Sequence, residues 1–396
     1  MLELPIYMDN HATTRVDPRV VQAMLPYLTD HYGNPGSVNH SFGAQAKEAV
    51  DVARAEIAAA IGAGPRDIVF TSGATESNNL ALRGIADRVR RRGNHLISVT
   101  TEHKAVLDPL ARLARRGFEV TLLPVEQAGT DRAGLLDVAR IADAIRPDTL
   151  LVSVMMANNE IGIIQPLAEI SALCRARGAL LHCDATQAVG KMPVDVDTLG
   201  VDLMSFSAHK IYGPKGVGAL YVRRRNAAAR LLPQIDGGGQ EGGVRSGTLN
   251  VPGIVGFARA LTLCLAEMPT ERTRLAALRN RLFEGLSQKL EGVTLNGPAL
   301  ADELRLPGNL NASFAYVNGE ALMMSIQHLA VSSGSACTSA NPEPSHVLRA
   351  LGLDEDQTRA SLRFGLGRFN SSDEVEYAID SVAESVERLR KLSSLA

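Results

Sequence analysis

Two charged side chains lie at the ends of two apolar stretches of the sequence. The run LLHCD, typical of a buried strand, ends at Asp184, and the similar run VDLMSFS is followed closely by His209 and Lys210. The glycines and the proline of YGPKG then indicate a turn after Lys210. Because open parallel sheets bind ligands at the carboxyl ends of their strands, we expect Asp184 and Lys210 to face one site.

A lysine and a carboxylate at such an edge fit a pyridoxal phosphate site. The lysine amine can form a Schiff base with the aldehyde, and the carboxylate can keep the ring nitrogen protonated. Either residue alone is more often a solvated cap or a surface ion pair, because charged side chains are ordinarily exposed. With Ser207 and His209 beside them, Asp184 and Lys210 favour the cofactor site.

A second anion-binding feature is predicted in DIVFTSGATESNN. An apolar strand leads through the small residues Ser72, Gly73 and Ala74 into a helix that begins near Thr75, which leaves backbone N–H groups free for a phosphate. Glu76, in the first turn of that helix, could instead indicate ordinary helix capping. Together with Ser207 and His209, the turn favours phosphate binding.

The elements around these motifs alternate between strands and amphipathic helices. A helix from about Ser41 to Ile61 carries its apolar residues at spacings of three and four, so that one face can pack on a sheet. After Pro252 the pattern changes to long amphipathic helices, of which the last opens with a capping box at Ser371 and Glu374. Short strands between these helices indicate a small α+β domain.

Several motifs resemble those of the cysteine desulfurases of the IscS/NifS type, within the class V aminotransferase superfamily. They are SFSAHKIYGPKG, DATQAVGK, TSGATESNN, TEHKAVL, NNEIG, RSGT and SSGSACTS. The resemblance extends from YMDNHATT to LRFGLGRF and implies the α/β fold of type I pyridoxal phosphate enzymes. We therefore expect an arm (1–15) that packs with the small domain, a large cofactor-binding domain with a mostly parallel sheet (16–257), and a small C-terminal domain (258–396).

The resemblance also implies roles for five residues. The residue matching His103 stacks on the cofactor ring and moves protons, the one matching Asn159 lies near the cofactor and the substrate carboxylate, and the one matching Gln187 bonds the ring hydroxyl. The residue matching Arg363 binds the substrate α-carboxylate, for which a guanidinium is well suited. The residue matching Thr248 reaches the phosphate of the other subunit, which implies a homodimer. Without the family, a structural histidine, a surface arginine and a glycine-rich linker would be the ordinary interpretations.

Four cysteines are too few and too scattered for a disulfide framework or a metal site. Cys174, Cys183 and Cys264 lie in apolar strand or helix patterns and are expected to be buried. Cys337 differs because SSGSACTSANPEPS is a run of small polar residues without apolar periodicity. We expect a mobile loop, about 332–345, with an exposed thiol that reacts as the thiolate. A cysteine that lies in a loop by chance is the alternative.

The reaction implied by the resemblance converts L-cysteine into L-alanine. Arg363 and Asn159 hold the substrate carboxylate, Lys210 is displaced from the cofactor and moves the Cα proton, and Cys337 attacks the substrate sulfur. The resulting persulfide passes its sulfur to an acceptor protein for iron–sulfur cluster assembly or tRNA thiolation. Other class V enzymes, such as a selenocysteine lyase or a small-amino-acid aminotransferase, would not need the loop cysteine. A docking protein without a cofactor would not need Lys210 and Asp184.

Composition limits the remaining possibilities. A length of 396 residues suggests two domains, and a net charge of −2 argues against direct nucleic-acid binding. We find neither a signal peptide nor an apolar run of membrane length, so we expect a cytoplasmic protein.

Asp236 and Gly242 replace a histidine and an arginine that are common in the family, and the chain ends at KLSSLA, before the tail of close relatives. The identity of the sulfur acceptor therefore stays open.

Overall fold

The computed structural model describes residues 2–89, 93–300, 303–333 and 344–392, and the statements below concern these residues. Most of the predicted cysteine loop, including Cys337, lies outside them. The strands are β1 Ile6–Tyr7, β2 Ile68–Thr71, β3 His95–Val99, β4 Glu119–Leu123, β5 Thr149–Ser153, β6 Leu180–Asp184, β7 Leu203–Ser207, β8 Gly218–Val222, β9 Val293–Leu295, β10 Asn309–Phe314, β11 Leu329–Ala330, β12 Ser332–Ser333 and β13 Ser361–Gly365. The α-helices are α1 Pro18–Met24, α2 Pro26–Thr29, α3 Ser41–Ala60, α4 Ala74–Val89, α5 Lys104–Arg115, α6 Val138–Ala144, α7 Leu167–Arg177, α8 Val196–Leu199, α9 Val251–Lys289, α10 Gly319–Ser325, α11 His346–Ala350, α12 Glu355–Arg359 and α13 Ser372–Leu392.

The large sheet has seven strands in the order β2-β8-β7-β6-β5-β3-β4. Strands β7, β6, β5, β3 and β4 are parallel, and β8 is antiparallel to both β7 and β2. Strand β2 therefore runs in the same direction as the parallel set. Five strand ends from distant parts of the chain, those of β2, β3, β5, β6 and β7, consequently meet at one edge, where ligands of such sheets bind.

Helices cover the large sheet because each has one apolar face. In α3 the buried side chains include Ala46, Val50, Ala53 and Ile57, which recur at helical spacing as the sequence predicts. The imidazole of His40 caps this helix by accepting from the N–H of Gly43. The mixed α/β fold with a mostly parallel central sheet confirms the predicted fold class.

The smaller sheet is antiparallel, in the order β12-β13-β10-β9. The N-terminal arm packs against this part of the chain, since β1 pairs with β11 and Asp9 forms a bridge with Gly365. Ile6 and Met8 are fully buried in the same hydrophobic core as the side chains of β10, β13 and α13. The arm is thus held by apolar burial as well as by backbone hydrogen bonds.

Helix α9 crosses the predicted domain boundary at residue 257. Its early residues, such as Phe257 and Leu261, belong to the core of the large sheet, whereas Leu282 and Leu286 belong to the core of the small sheet. The division of the chain into domains stays a prediction. Among the described residues, α9 is the one helix long and apolar enough to cross a membrane, but 61% of its most apolar window is buried inside the fold.

Candidate active site

The carboxyl edge of the large sheet lines a cavity of about 500 Å³. Most of the residues predicted for the site contribute to its wall. They are Ala74, Thr75, His103, Asn159, Asp184, Gln187, Ser207, His209, Lys210 and Arg363. These residues come from five strand ends and from the small sheet, so the cavity lies between the two sheets.

Asp184, the last residue of β6, is held in place on both carboxylate oxygens. Asn78 donates to Oδ2 at 2.7 Å, and the backbone N–H of Thr186 donates to Oδ1 at 3.0 Å. Because Asn78 lies on α4 and Thr186 in the turn after β6, the carboxylate is fixed from two elements. Such a carboxylate is suited to bind a protonated ring nitrogen.

Lys210 follows β7 in a 3₁₀ turn, Ala208–Lys210. Its Nζ donates to the backbone carbonyls of His11 and Ala12, each at 2.6 Å. The neighbouring His209 contacts Thr13 Oγ1 through Nδ1 at 3.1 Å. Burial, assisted by the charge of Lys210, lowers the pKa of His209 to about 4, so this imidazole is neutral at pH 7.

His103 caps α5 by accepting from the N–H of Ala105 through Nδ1 at 3.0 Å. A structural role of this kind was the alternative interpretation of His103 from the sequence. Because Nδ1 accepts a hydrogen bond, Nε2 is the ring nitrogen that carries the proton when the ring is neutral. Burial lowers the pKa of His103, against an opposing effect of Asp184. A neutral imidazole in the cavity wall can contact an aromatic ring and accept or donate a proton.

The turn after β2 approaches β8 closely. A Cβ atom on Gly218 would lie 2.7 Å from the Cα of Gly73, so only glycine fits beneath this turn. The carboxylate of Glu76 accepts from the N–H of Ser72 at 2.8 Å and pairs with Arg245 at 2.7 Å. Glu76 therefore caps the turn, as the alternative interpretation held, while the first N–H groups of α4 remain outside the hydrogen bonds of the helix.

Arg363, in β13, is fully buried between the two sheets. Its Nη2 donates to Asp9 Oδ1 at 2.7 Å and to Ser332 Oγ at 3.2 Å, and its Nη1 donates to the carbonyl of Asn159 at 3.3 Å. The buried Nε–H has no hydrogen-bond partner among the described residues. A buried guanidinium with an unused donor in a cavity wall is suited to bind a carboxylate.

One predicted site residue that the structure describes, Thr248, is not brought into the cavity. Thr248 is exposed at the end of the glycine-rich loop and does not line the cavity of this chain, and Cys337 lies outside the described residues. The glycine-rich loop is fixed rather than a free linker, because Glu241 pairs with Arg54 at 2.6 Å and Arg245 binds Glu76.

Sequence reasoning missed several residues that line the cavity. Glu160 is buried, accepts from Ser345 Oγ, and has a pKa raised by burial to about 7. His346 donates through Nε2 to the carbonyl of Glu102 at 2.9 Å. His11 and Glu160 lie within the motifs YMDNHATT and NNEIG. Their position inside these motifs was the sequence signal that could have identified them.

The family model for class V aminotransferases, described as "Aminotransferase class-V", matches residues 6–378. The cysteine desulfurase IscS of Anaeromyxobacter dehalogenans is 57% identical over 394 residues, which cover 100% of this chain and 95% of that protein. The chain belongs to the class V aminotransferase family. Among solved structures, a NifS-like protein superposes with a TM-score of 0.88 at 37% identity, covering 97% of this chain and 100% of that one. The structure of SspA in complex with cysteine has a TM-score of 0.80 at 36% identity, covering 92% and 100%.

Enzymes of the class V aminotransferase family use pyridoxal phosphate, and the residues of this cavity fit that group. Within the described residues, Thr186 Oγ1, Asn78 Oδ1 and His11 Nε2 are buried polar atoms without a hydrogen-bond partner, and all three residues line the cavity. Because unpaired buried polar atoms are costly, such a cluster indicates a site for a polar ligand. The amine of Lys210 and the carboxylate of Asp184 supply the two groups that the cofactor chemistry requires.

Proposed function

We propose that this protein is a cysteine desulfurase, which converts L-cysteine into L-alanine and transfers the sulfur to an acceptor protein. The observation that carries the proposal is the meeting of Lys210, Asp184, His103 and Arg363 in one cavity of a class V aminotransferase fold. The cysteine complex of SspA supports L-cysteine as the substrate.

Pyridoxal phosphate, when bound through Lys210, supplies a protonated ring that withdraws electrons from the substrate Cα. With this group bound, Asp184 would hold the ring nitrogen, Gln187 would bind the ring hydroxyl, and His103 would pack against the ring. The N-terminus of α4, at Ala74 and Thr75, would bind its phosphate together with Ser207 and His209. The helix dipole favours this anion.

Arg363 and Asn159 bind and orient the substrate carboxylate. The backbone carbonyl of Asn159 already accepts from Arg363 at 3.3 Å, so both residues act at the same end of the cavity. Lys210 would hold and move the proton at the substrate Cα. His103, whose pKa is lowered by burial, is neutral at pH 7 and can accept a proton from the incoming amine.

The sulfur acceptor within the chain is Cys337. Its thiolate attacks the sulfur of L-cysteine, an S–S bond forms as the C–S bond breaks, and the released electron pair and a proton complete L-alanine. Burial raises the pKa of Cys174 and Cys264 to about 12, and that of Cys183 well above its ordinary value. These three thiols, the ones that the structure describes, are therefore poor nucleophiles.

The setting of the reaction follows from the family. We propose that the protein acts as a homodimer, in which Thr248 of each subunit reaches the phosphate site of the other. The exposed position of Thr248, in a loop fixed by Glu241 and Arg245, supports this arrangement. We further propose a cytoplasmic location and a sulfur acceptor in iron–sulfur cluster assembly or tRNA thiolation.

The test is an assay of alanine and of reducible sulfur in the same reaction, with the visible absorbance recorded before and after L-cysteine is added. The proposal requires equal amounts of both products and loss of sulfur transfer in Cys337→Ala. Cys174→Ala, which removes a buried thiol of α7, is the matched control and should retain activity. Full activity in Cys337→Ala would refute the role of this thiol, and transfer of an amino group without sulfur release would indicate an aminotransferase.

A further inference from the structure

Lys191 lies behind the wall of the active-site cavity. Gln187 lines that cavity, Lys191 lines a separate small cavity of about 30 Å³, and His11 lines both. Within the described residues, no carboxylate forms an ion pair with Lys191. Its hydrogen bond goes instead to a neutral group, since Nζ donates to Gln187 Oε1 at 2.7 Å. Charge pairing therefore does not explain why this partly buried lysine lies beside an amide oxygen.

The reason lies in the orientation of the Gln187 side chain. The oxygen and nitrogen of an amide can exchange places by a flip, so the hydrogen-bond partners decide which atom lies where. Gln187 Oε1 faces Lys191 Nζ and lies 3.0 Å from His11 Nδ1, while Nε2 donates to the carbonyl of His11 at 2.9 Å. A flip would place the amide NH₂ against the donors of Lys191 and the amide oxygen against a carbonyl oxygen.

We propose that Lys191 is a positioning residue, which holds the Gln187 amide with its N–H groups toward His11 and the active-site cavity. One N–H of Nε2 binds the His11 carbonyl, and the second is available to the ring oxygen of the cofactor. Gln187 then donates to that oxygen and stabilises its anionic form. This inference rests on the proposed function, because it presupposes pyridoxal phosphate in the cavity.

The surroundings of Lys191 agree with this role. Burial, with the charge of Lys210 as the second cause, lowers the pKa of Lys191 to about 7. The neutral amine still has N–H groups for Oε1, so the contact does not require the charged form. The His11 carbonyl that accepts from Gln187 also accepts from Lys210 at 2.6 Å. Lys191 is therefore joined to the cofactor lysine by a chain of three hydrogen bonds.

The test compares Lys191→Met, which keeps the length of the side chain without a donor, with Lys191→Arg, which keeps donors. Two properties of the loaded protein are measured: the dissociation constant of pyridoxal phosphate and the pH midpoint of its visible absorbance change. Without a hydrogen bond to the ring oxygen, the negative charge of that oxygen is less stabilised. The nitrogen of Lys210 bound to the cofactor then keeps its proton to a higher pH. We therefore expect Lys191→Met to raise the midpoint by about one pH unit and the dissociation constant about tenfold, and Lys191→Arg to restore most of both.

A double-mutant cycle separates this role from a general loss of packing. If Lys191 acts through the amide, Lys191→Met should have no further effect on the midpoint in a Gln187→Leu protein. An undiminished effect in that background would overturn the inference, and so would wild-type values in Lys191→Met itself. Absence of a visible band in the wild-type protein supplied with pyridoxal phosphate would instead refute the proposed function. If Lys191→Met does not fold, Lys191→Leu replaces it, since it also lacks a donor for Gln187 Oε1 and should move the midpoint in the same direction.

Discussion

The substitution Glu160→Gln should make the protein less sensitive to a rise in pH. Glu160 is 4% exposed and accepts from Ser345 Oγ. Burial raises its pKa from 4.5 to about 7, although Ser345 and the charge of Arg363 oppose the rise. Glutamine has nearly the same shape and can still accept from Ser345, so the substitution removes the ionisation with little change in packing.

The sign follows from proton binding in the two states. In the unfolded chain Glu160 loses its proton near pH 4.5, whereas in the folded protein it keeps the proton up to about pH 7. Between these values the folded state binds more protons, so the free energy of unfolding falls as the pH rises. Between pH 5 and pH 8 the expected loss is about 2.5 kcal/mol, since each unit of pKa difference is worth about 1.4 kcal/mol. For a chain of this length the loss corresponds to about 3 °C in Tm.

The assay is thermal unfolding of the wild-type protein and of Glu160→Gln at pH 5 and pH 8, under the same cofactor saturation. All other ionisable groups are common to both proteins, so the change in their Tm difference reports on Glu160. The exposed Glu48 provides the matched control, and Glu48→Gln should follow the wild type at both values. A Tm difference that stays constant from pH 5 to pH 8, or that moves in favour of the wild type, would show that Glu160 is ionised throughout and would refute the reasoning.

Two further substitutions test the walls of the cavity. Asn78→Ala removes the 2.7 Å hydrogen bond to Asp184 Oδ2. Because hydrogen bonds to charged groups contribute roughly 1.5–3 kcal/mol, we expect the dissociation constant of pyridoxal phosphate to rise at least tenfold. Absorbance titration measures this constant. Gly218→Ala places a methyl group 2.7 Å from the Cα of Gly73; the turn must shift, and we expect weaker cofactor binding together with a loss of about 1–3 kcal/mol in unfolding experiments.

Much of the local structure could be predicted from the sequence because it depends on neighbouring residues. The run LLHCD is strand β6 and ends at Asp184, and the strand in VDLMSFS is β7 and ends at Ser207. The capping box at the start of α13 is also confirmed, since Ser371 and Glu374 exchange hydrogen bonds between side chain and backbone. Apolar periodicity and capping chemistry are local signals, and they were sufficient for these elements.

Other features of the fold depend on contacts between distant segments. The antiparallel direction of β8 has no signature in its apolar sequence GALYV, because a buried strand reads alike in both directions. The continuity of α9 was also missed. Pro252, after which the sequence pattern changes to long amphipathic helices, lies in the first turn of α9, where proline is tolerated, and Asn250 caps the helix.

The same distinction applies to the site. Asp184 and Lys210 could be predicted because each follows a recognisable strand, and the family motifs supplied His103 and Arg363. His11 and Asn78 were missed because their roles arise from pairing across the molecule. A backbone carbonyl, such as that of His11 bound to Lys210, carries no side-chain signature at all.

The arm segment 9–13 joins the two halves of the cavity. Its carbonyls bind Lys210, its Thr13 contacts His209, and its Asp9 pairs with Arg363. One short piece of chain therefore holds both the lysine of the large sheet and the arginine of the small sheet. It is itself held by burial of apolar neighbours and by pairing with β11 and β13. Because both reactive ends of the cavity depend on it, the distance between the cofactor lysine and the substrate-binding arginine is set by the arm as much as by either sheet.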